Sequence, residues 1–204
     1  MFDPTMYSDP GRRRSVNRFD PRTTALVLID LQNGILALPT APRPSSQVLE
    51  SGKSLAARFR DAGATVVMVR VAFAPDFADA PPGLADQPLS PPEGGLPTDW
   101  AHLADGLAAP GDIVITKHQW GAFTGTELDL QFRRRGIRTV VLGGIATNFG
   151  VESTARHGWE LGYHIVIAED LCTSLSADLH DVSIRSILPR IARVLPSDTI
   201  VFGG

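Results

Sequence analysis

Asp30, Lys117 and Gly150 are the residues whose types and positions bear most directly on chemistry. Asp30 and Lys117 each follow directly on a short apolar run, and Gly150 lies shortly after another. A carboxylate at the end of a buried strand is costly to ionise unless it is paired, and a lysine at a neighbouring strand end supplies a partner. Spacing alone leaves two interpretations equally open: an acid–base pair, or a turn-capping Asp30 with a solvated Lys117.

Gly150 lies in a segment, residues 143–156, that runs from an apolar strand through spare glycines into a helix. A turn of this kind places backbone N–H groups at a helix N-terminus, where a reactive group or an anion is stabilised. Glycine has no side chain, so nucleophilic attack from position 150 is excluded. Cys172 and Thr147 are alternative nucleophiles, although a lone cysteine is usually a small buried hydrophobe and no histidine is obviously placed to activate a hydroxyl.

The elements that must position these residues alternate between strands and helices. Continuous apolar runs predict six strands, at 25–29, 65–71, 112–116, 139–142, 165–168 and 192–195. Helical periodicity predicts helices between them, near 48–62, 128–135, 151–161 and 177–188. This order predicts an α/β fold, a three-layer α/β/α sandwich with a mostly parallel sheet of about six strands. Ligands of such sheets bind beyond the carboxyl ends of the strands, where the strand order switches.

The 204 residues fit one domain, which we assign to residues 23–204, preceded by a flexible N-terminal arm at residues 1–22. Residues 74–99 interrupt the alternation and contain seven of the 16 prolines. A segment that long without regular structure is either functional, as a lid or an interface loop, or disordered.

Composition excludes several classes of function. A net charge of −3 gives no case for nucleic-acid binding, and no apolar run approaches the roughly 20 residues of a membrane helix. The single cysteine precludes an internal disulfide, and together with the polar N-terminal residues this fits a cytoplasmic protein.

Three motifs follow one another along the chain: Asp-Leu-Gln-Asn at 30–33, Lys117 followed by residues 121–128, and Gly-Ile-Ala-Thr-Asn at 144–148. Together they resemble the isochorismatase-like superfamily of cysteine hydrolases, which includes nicotinamidases, carbamoylsarcosine amidases and isochorismatases. The similarity covers roughly residues 23–195. It implies the three-layer α/β sandwich already predicted, and self-association into a homo-oligomer, a dimer or a tetramer.

The resemblance also implies roles for individual residues. The family's catalytic triad of Asp, Lys and Cys matches Asp30 and Lys117, with Gly150 at the position of the cysteine. A cis peptide bond in the family's third motif, which helps to form an oxyanion hole, matches the bond between Ile145 and Ala146. The family's metal-dependent members carry Asp and His after the second strand, where this chain has an apolar run at 71–73. We therefore expect no metal and no cofactor.

Isochorismatases resemble this chain in carrying glycine at the cysteine position, and they cleave a vinyl ether to release pyruvate. That reaction needs a general acid and then water, without a covalent nucleophile. The leading hypothesis is therefore acid–base hydrolysis of a small molecule by Asp30 and Lys117, with a vinyl ether such as isochorismate as one candidate substrate. The alternatives are a catalytically silent member that binds a small molecule or serves in an assembly, and a hydrolase with Cys172 or Thr147 as nucleophile.

Six further residues within or beside these motifs are candidates for contact with the substrate. Polar contacts would come from histidine, glutamine and threonine side chains, and an apolar wall from the aromatic rings, although burial in the core explains those rings as readily. The candidates are Gln32, His118, Trp120, Phe123, Ala146 and Thr147.

Overall fold

The computed structural model describes residues 18–81, 83–88 and 92–203. Its strands are β1 (Arg18–Phe19), β2 (Thr24–Ile29), β3 (Thr65–Val71), β4 (Ile113–Lys117), β5 (Thr139–Ile145), β6 (His164–Thr173), β7 (Ala192–Leu195) and β8 (Val201–Phe202). Its α-helices are α1 (Asn33–Leu36), α2 (Ser45–Asp61), α3 (Leu128–Arg135), α4 (Glu152–Glu160) and α5 (Ala177–Val182). Within the described ranges, no helix combines the length and the apolar character needed to cross a membrane.

The main sheet contains six strands in the order β4-β3-β2-β5-β6-β7, and every neighbouring pair is parallel. The short strands β1 and β8 form a separate parallel pair. Helices cover both faces of the main sheet, so the predicted three-layer α/β architecture is confirmed.

Alternation along β2 divides the core into two clusters, one on each face of the sheet. Val27 and Ile29 belong to the cluster that contains residues of α3 and α4, whereas Leu26 and Leu28 belong to the cluster that contains residues of α2. All six residues of β2 are buried. Burial on both faces explains why the sequence of this strand is continuously apolar.

The strand order switches direction between β2 and β5, and this position determines where a site can form. From β2 the chain adds β3 and β4 on one side and then returns to place β5 on the other side. Gly144 permits the close approach of β5 to β2, because its φ is 131° and a Cβ atom there would lie 2.1 Å from the Ile29 carbonyl oxygen. The carboxyl ends of β2 and β5 therefore meet at the edge where ligands of this fold class bind.

Several element boundaries differ from the sequence-based predictions. Strand β6 continues to Thr173, past a register shift in its pairing with β5, whereas the apolar run predicted a strand ending at 168. The helix predicted at 177–188 is divided into α5, a π-helical turn at Ser183–Ile187 and a 3₁₀ turn at Leu188–Arg190. Strand β1 lies inside the range predicted as a flexible arm, and residues 1–17 of that arm lie outside the described residues.

Candidate active site

Asp30 and Lys117 form a buried ion pair at the carboxyl edge of the sheet. Lys117 is the last residue of β4, Asp30 follows β2, and β3 lies between those two strands. The Lys117 Nζ donates a hydrogen bond to Asp30 Oδ2 at 2.8 Å and a second one to the Gln119 carbonyl oxygen at 3.0 Å. The Asp30 side chain is only 8% exposed and the Lys117 side chain only 2%. Spacing alone leaves the pairing of these two residues open, and the structure brings them into direct contact.

Asp30 has three further unusual properties, two of its carboxyl group and one of its backbone. Burial raises its pKa to about 6, although the adjacent Lys117 ammonium acts in the opposite direction. Its Oδ1 atom is buried without a hydrogen-bond partner. Its backbone φ of 55° lies in the left-handed region, which is uncommon for a residue other than glycine and recurs at functional sites. A carboxyl group with these properties is suited to exchange a proton near neutral pH.

The turn after β5 brings Gly150 against this pair. Residues Thr147–Val151 form a π-helical turn that leads into α4. A Cβ atom built on Gly150 would lie 3.3 Å from Asp30 Oδ2 and 2.8 Å from the Ile29 Cγ2 methyl. Position 150 is therefore next to the carboxyl group, and a side chain there would have to displace Ile29.

Thr154 holds this turn to the loop that follows β4. Its Oγ1 donates a hydrogen bond to the Gly150 carbonyl oxygen at 2.6 Å and accepts one from the Ala122 backbone N–H at 3.0 Å. The side chain is fully buried. Sequence analysis did not select Thr154, although its position four residues after Gly150 places it one helical turn along the chain.

Substituting valine for Thr154 tests this bridge. The two side chains have nearly the same shape, so the variant leaves the Ala122 N–H and the Gly150 carbonyl buried without this partner. We expect the free energy of unfolding to fall by about 1–3 kcal/mol. Urea unfolding would measure the change, with Thr154→Ser, which keeps the hydroxyl, as control. A loss in Thr154→Ser together with none in Thr154→Val would show that packing of the methyl group, rather than the hydrogen bonds, is responsible.

A cavity of about 780 Å³ opens beside the ion pair. Its volume lies within the range of small-molecule sites. Asp30, Lys117, Ala146 and Gly150 are part of its wall. The remaining lining residues are mostly apolar and include Ile35, Leu38, Val71, Phe73, Phe77, Leu96, Trp100, Trp120, Phe149 and Leu175.

The Pro-rich segment at residues 74–99 supplies one wall of this cavity. Its described residues contain turns but no strand or helix. Eight of them line the cavity: Phe77, Pro81, Gly83, Ala85, Gln87, Pro88, Pro92 and Leu96. The segment therefore borders the candidate site. A role as a subunit interface stays a prediction.

Three of the six predicted substrate contacts line the cavity. Ala146 lies just after β5, and the peptide bond that joins it to Ile145 is cis, as the family resemblance implies. The Trp120 ring is largely exposed and lies 4.8 Å from the Phe149 ring, measured between centroids. The His118 Nδ1 lies 2.6 Å from the Ala72 carbonyl oxygen and 3.2 Å from Asp79 Oδ2, so this nitrogen is already engaged.

The other three predicted contacts are directed away from the cavity. The Gln32 side chain forms all of these hydrogen bonds with backbone atoms: it accepts one from the Val71 N–H and donates to the Val71 and Trp100 carbonyl oxygens. Phe123 is a core residue that stacks on Tyr163. These two side chains connect the loops around the site and do not line it.

Thr147 is the third predicted substrate contact that does not line the cavity. It belongs to a buried polar network next to the π-helical turn at Thr147–Val151. Its hydroxyl donates to the Thr173 carbonyl oxygen at 3.0 Å, and the His180 Nδ1 lies 2.8 Å from the same hydroxyl oxygen. With the hydroxyl proton already used, the histidine is assigned as the donor through Nδ1–H. Burial lowers the pKa of His180, which favours a neutral imidazole with its proton on Nδ1. Sequence analysis missed His180 because a lone histidine on a helix carries no spacing signal.

Cys172 is buried and lies outside the cavity lining. Its Sγ donates to the Ala168 carbonyl oxygen at 3.4 Å, and burial raises the pKa of the thiol to about 12. Because the thiolate is the reactive species, we expect the folded protein to resist alkylation by iodoacetamide at pH 8 and the urea-unfolded protein to react fully. Intact mass measures both. Rapid labelling of the folded protein would restore Cys172 as a candidate nucleophile.

No group of three or more His, Cys, Asp or Glu side chains among the described residues is arranged to hold a metal ion. The site is thus defined by the ion pair, the turn at Gly150 and the apolar cavity.

The isochorismatase domain model matches residues 24–199, which include every strand of the main sheet. The chain belongs to the isochorismatase family. The isochorismatase family protein YecD of Escherichia coli O157:H7 is 51% identical over 181 residues, covering 88% of this chain and 95% of that protein.

Two further proteins are similar to this chain over most of its length. The structure of an isochorismatase family protein from Burkholderia thailandensis superposes with a TM-score of 0.85 at 43% identity, covering 91% of this chain and 97% of that one. A ureidoacrylate amidohydrolase RutB of Methylorubrum extorquens is 34% identical over 201 residues, covering 82% of this chain and 80% of that protein. The comparisons establish a hydrolase fold for this chain.

Proposed function

We propose that this protein hydrolyses a small molecule with Asp30 as general acid and base, Lys117 as its electrostatic partner, and no covalent nucleophile. The observation that carries the proposal is the state of the Asp30 carboxyl group. It borders the cavity, one of its oxygens is paired with Lys117, and the other has no partner. A raised pKa of about 6 keeps part of this group protonated near neutral pH.

A vinyl ether is the bond class that this arrangement suits best. Protonated Asp30 transfers its proton to the terminal alkene carbon, forming a C–H bond and leaving an oxocarbenium ion. Water adds to the cationic carbon, and the proton that this water loses is taken up by the Asp30 carboxylate. The resulting hemiacetal or hemiketal collapses to an alcohol and a carbonyl compound. Lys117 remains an ammonium throughout and stabilises the carboxylate that forms after the first transfer.

Gly150 supports a route without a covalent intermediate. We propose that it occupies the position at which related cysteine hydrolases carry their nucleophile. The space beyond its Cα is bounded by Asp30 Oδ2 and by the Ile29 methyl. Glycine leaves the reacting carbon of a substrate free to approach the carboxyl group. RutB is named as an amidohydrolase, but amide hydrolysis through an acyl-enzyme needs a side chain that position 150 does not provide.

The test is hydrolysis of a panel of vinyl ethers: ethyl vinyl ether, benzyl vinyl ether and isochorismate. Acetaldehyde from the first two and pyruvate from the third are followed by coupled dehydrogenase assays. We expect the wild-type protein to hydrolyse at least one of them. Hydrolysis of none of the three at a rate above that of Asp30→Asn would contradict the proposal and favour a catalytically silent binding protein.

The pH dependence of kcat/KM gives a second, independent measurement. The acid form of Asp30 is present below its pKa of about 6 and is lost above it. We therefore expect kcat/KM to be level at low pH and to fall about tenfold per pH unit well above pH 6. A profile that rises between pH 5 and 8 would show that the group acts first as a base, which contradicts protonation as the first step.

A further inference from the structure

We propose that the cavity selects an uncharged substrate with an aromatic or branched apolar body and a single polar end that lies against Asp30. This inference rests on the proposed function only in placing the hydrolysable end at Asp30. The selection itself follows from the composition of the walls. It excludes substrates whose distal part carries a carboxylate or a phosphate.

The charged side chains that border the cavity provide no free counter-ion for an ionic group on the distal part of a substrate. Among the described lining residues, Asp30 and Lys117 are the carboxyl group and the ammonium; they are in contact at 2.8 Å, and the pair has no net charge when Asp30 is ionised, as it mostly is at pH 7.5. His118 directs its Nδ1 to Ala72 and Asp79. A carboxylate brought into this cavity would lose its hydration without gaining a cationic partner, which is strongly unfavourable.

The cations nearest to the wall along the chain are engaged elsewhere. The Arg70 side chain donates to Thr116 Oγ1, and the Arg43 guanidinium contacts Glu169 and the Cys172 carbonyl oxygen. Neither arginine lines the cavity. The arginine that would give bidentate recognition of a carboxylate or phosphate is thus missing from the described wall.

Aromatic rings supply the complementary surface for an apolar body. Phe73 and Phe77 stack at 5.2 Å between ring centroids, and Trp120 and Phe149 form a second pair at 4.8 Å. All four rings line the cavity. Such surfaces stabilise a bound ligand through burial of apolar area and ring–ring contacts. A volume of about 780 Å³ accommodates a molecule much larger than the bond that reacts.

Isochorismate is a poor match to these walls. It carries two carboxylates, and the only fully charged cation on the described wall, Lys117, already holds Asp30. The vinyl ether chemistry proposed for Asp30 does not depend on this substrate. A neutral aryl or alkyl vinyl ether satisfies both the reacting end and the apolar wall.

The experiment separates binding from turnover by using saturated ethers, which have no double bond to protonate. Benzyl ethyl ether is the neutral probe and 4-(ethoxymethyl)benzoate is its matched anion. Their dissociation constants for the wild-type protein are measured at pH 7.5 by ligand-observed NMR. We expect the neutral probe to bind at least about tenfold more tightly. Equal or tighter binding of the anion, or no binding of the neutral probe at millimolar concentration, would overturn the inference.

A positive charge added to the wall should weaken the preference for the neutral probe. Leu175 lines the cavity and is 49% exposed, so the variant Leu175→Lys places an ammonium at the rim without burying it fully. Leu179 is similarly exposed, at 45%, but does not line the cavity, which makes Leu179→Lys the matched control. We expect at least about fivefold tighter binding of the benzoate probe to Leu175→Lys alone. The same gain in both variants would contradict a cavity-bound ligand.

These results distinguish failure of the specificity inference from failure of the proposed function. Tight binding of benzyl ethyl ether without hydrolysis of benzyl vinyl ether would support the inference and contradict acid-catalysed hydrolysis. Hydrolysis of isochorismate, accompanied by tighter binding of the anionic probe, would support the chemistry and overturn the inference.

Discussion

Replacement of Asp30 by asparagine is expected to lower kcat/KM for vinyl ether hydrolysis by about 10²–10⁴-fold. The amide has the shape of the carboxyl group, and its oxygen can still accept the hydrogen bond from Lys117. It has no acidic proton to transfer to carbon. The loss should appear in kcat, because binding of the apolar part of the substrate does not involve this residue. Initial rates over a range of substrate concentrations separate kcat from KM.

Asp112→Asn is the matched control for this substitution. Asp112 is also a buried carboxylate, 4% exposed, and it accepts a 2.6 Å hydrogen bond from the Arg60 guanidinium. It does not line the cavity. We expect this variant to lose stability but to keep its kcat. Activity of Asp30→Asn within about tenfold of the wild type would remove Asp30 from the acid–base role.

The sequence predicts the sheet well because buried strands carry a local signal, whereas spacing alone leaves the pairing of Asp30 with Lys117 open. Strands buried on both faces are continuously apolar, so β2 and β3 could be located to within a residue or two. Parallel strands of a single sheet have their carboxyl ends at one edge. Residues just past several strands therefore meet, which is how Asp30 and Lys117 were selected.

Side-chain direction beyond the strand ends could not be predicted in the same way. Gln32 and Thr147 lie in the motif segments, but hydrogen bonds to distant backbone atoms turn them away from the cavity. These partners, at Val71 and Thr173, become neighbours only when the sheet is assembled. The Pro-rich segment had no periodicity from which its packing could be inferred, although it supplies much of the apolar wall.

The effect of Gly150 also depends on the assembled structure. In the sequence it signifies only that position 150 has no side chain to act as a nucleophile. The structure adds that the space beside it is bounded by Asp30 Oδ2 and the Ile29 methyl. A side chain introduced at position 150 would therefore crowd the carboxyl group. This arrangement is consistent with a site adapted to proton transfer.

Replacement of Lys117 by methionine is expected to have the largest effect on stability. The variant leaves the Asp30 carboxyl, with its side chain 8% exposed, buried without its counter-ion. Breaking a buried pair in this way typically costs about 3–5 kcal/mol of unfolding free energy. The pKa of Asp30 should also rise above its wild-type value of about 6, because burial then acts without the opposing effect of the Lys117 ammonium.

The raised pKa of Asp30 determines how the free energy of unfolding changes with pH. The unfolded carboxyl has an ordinary pKa of 3.8, so the folded protein binds the proton more tightly. The stabilisation from this protonated carboxyl is fully present below about pH 4 and is lost as the pH rises through the folded-state pKa. Lys117→Met should therefore be closest to the wild type in stability at pH 4 and furthest from it at pH 8. Urea unfolding at both values measures the difference.

A double-mutant cycle with Asp30→Asn distinguishes loss of the ion pair from loss of packing. If the cost of Lys117→Met arises from the unpaired carboxylate, the same substitution should cost at least about 2 kcal/mol less in the Asp30→Asn background at pH 8, since no buried charge is left behind. A cavity left by the lysine side chain would cost the same in both backgrounds and at both pH values. Equal costs would therefore show that Lys117 supports this site through packing, and the electrostatic role proposed for it would fail.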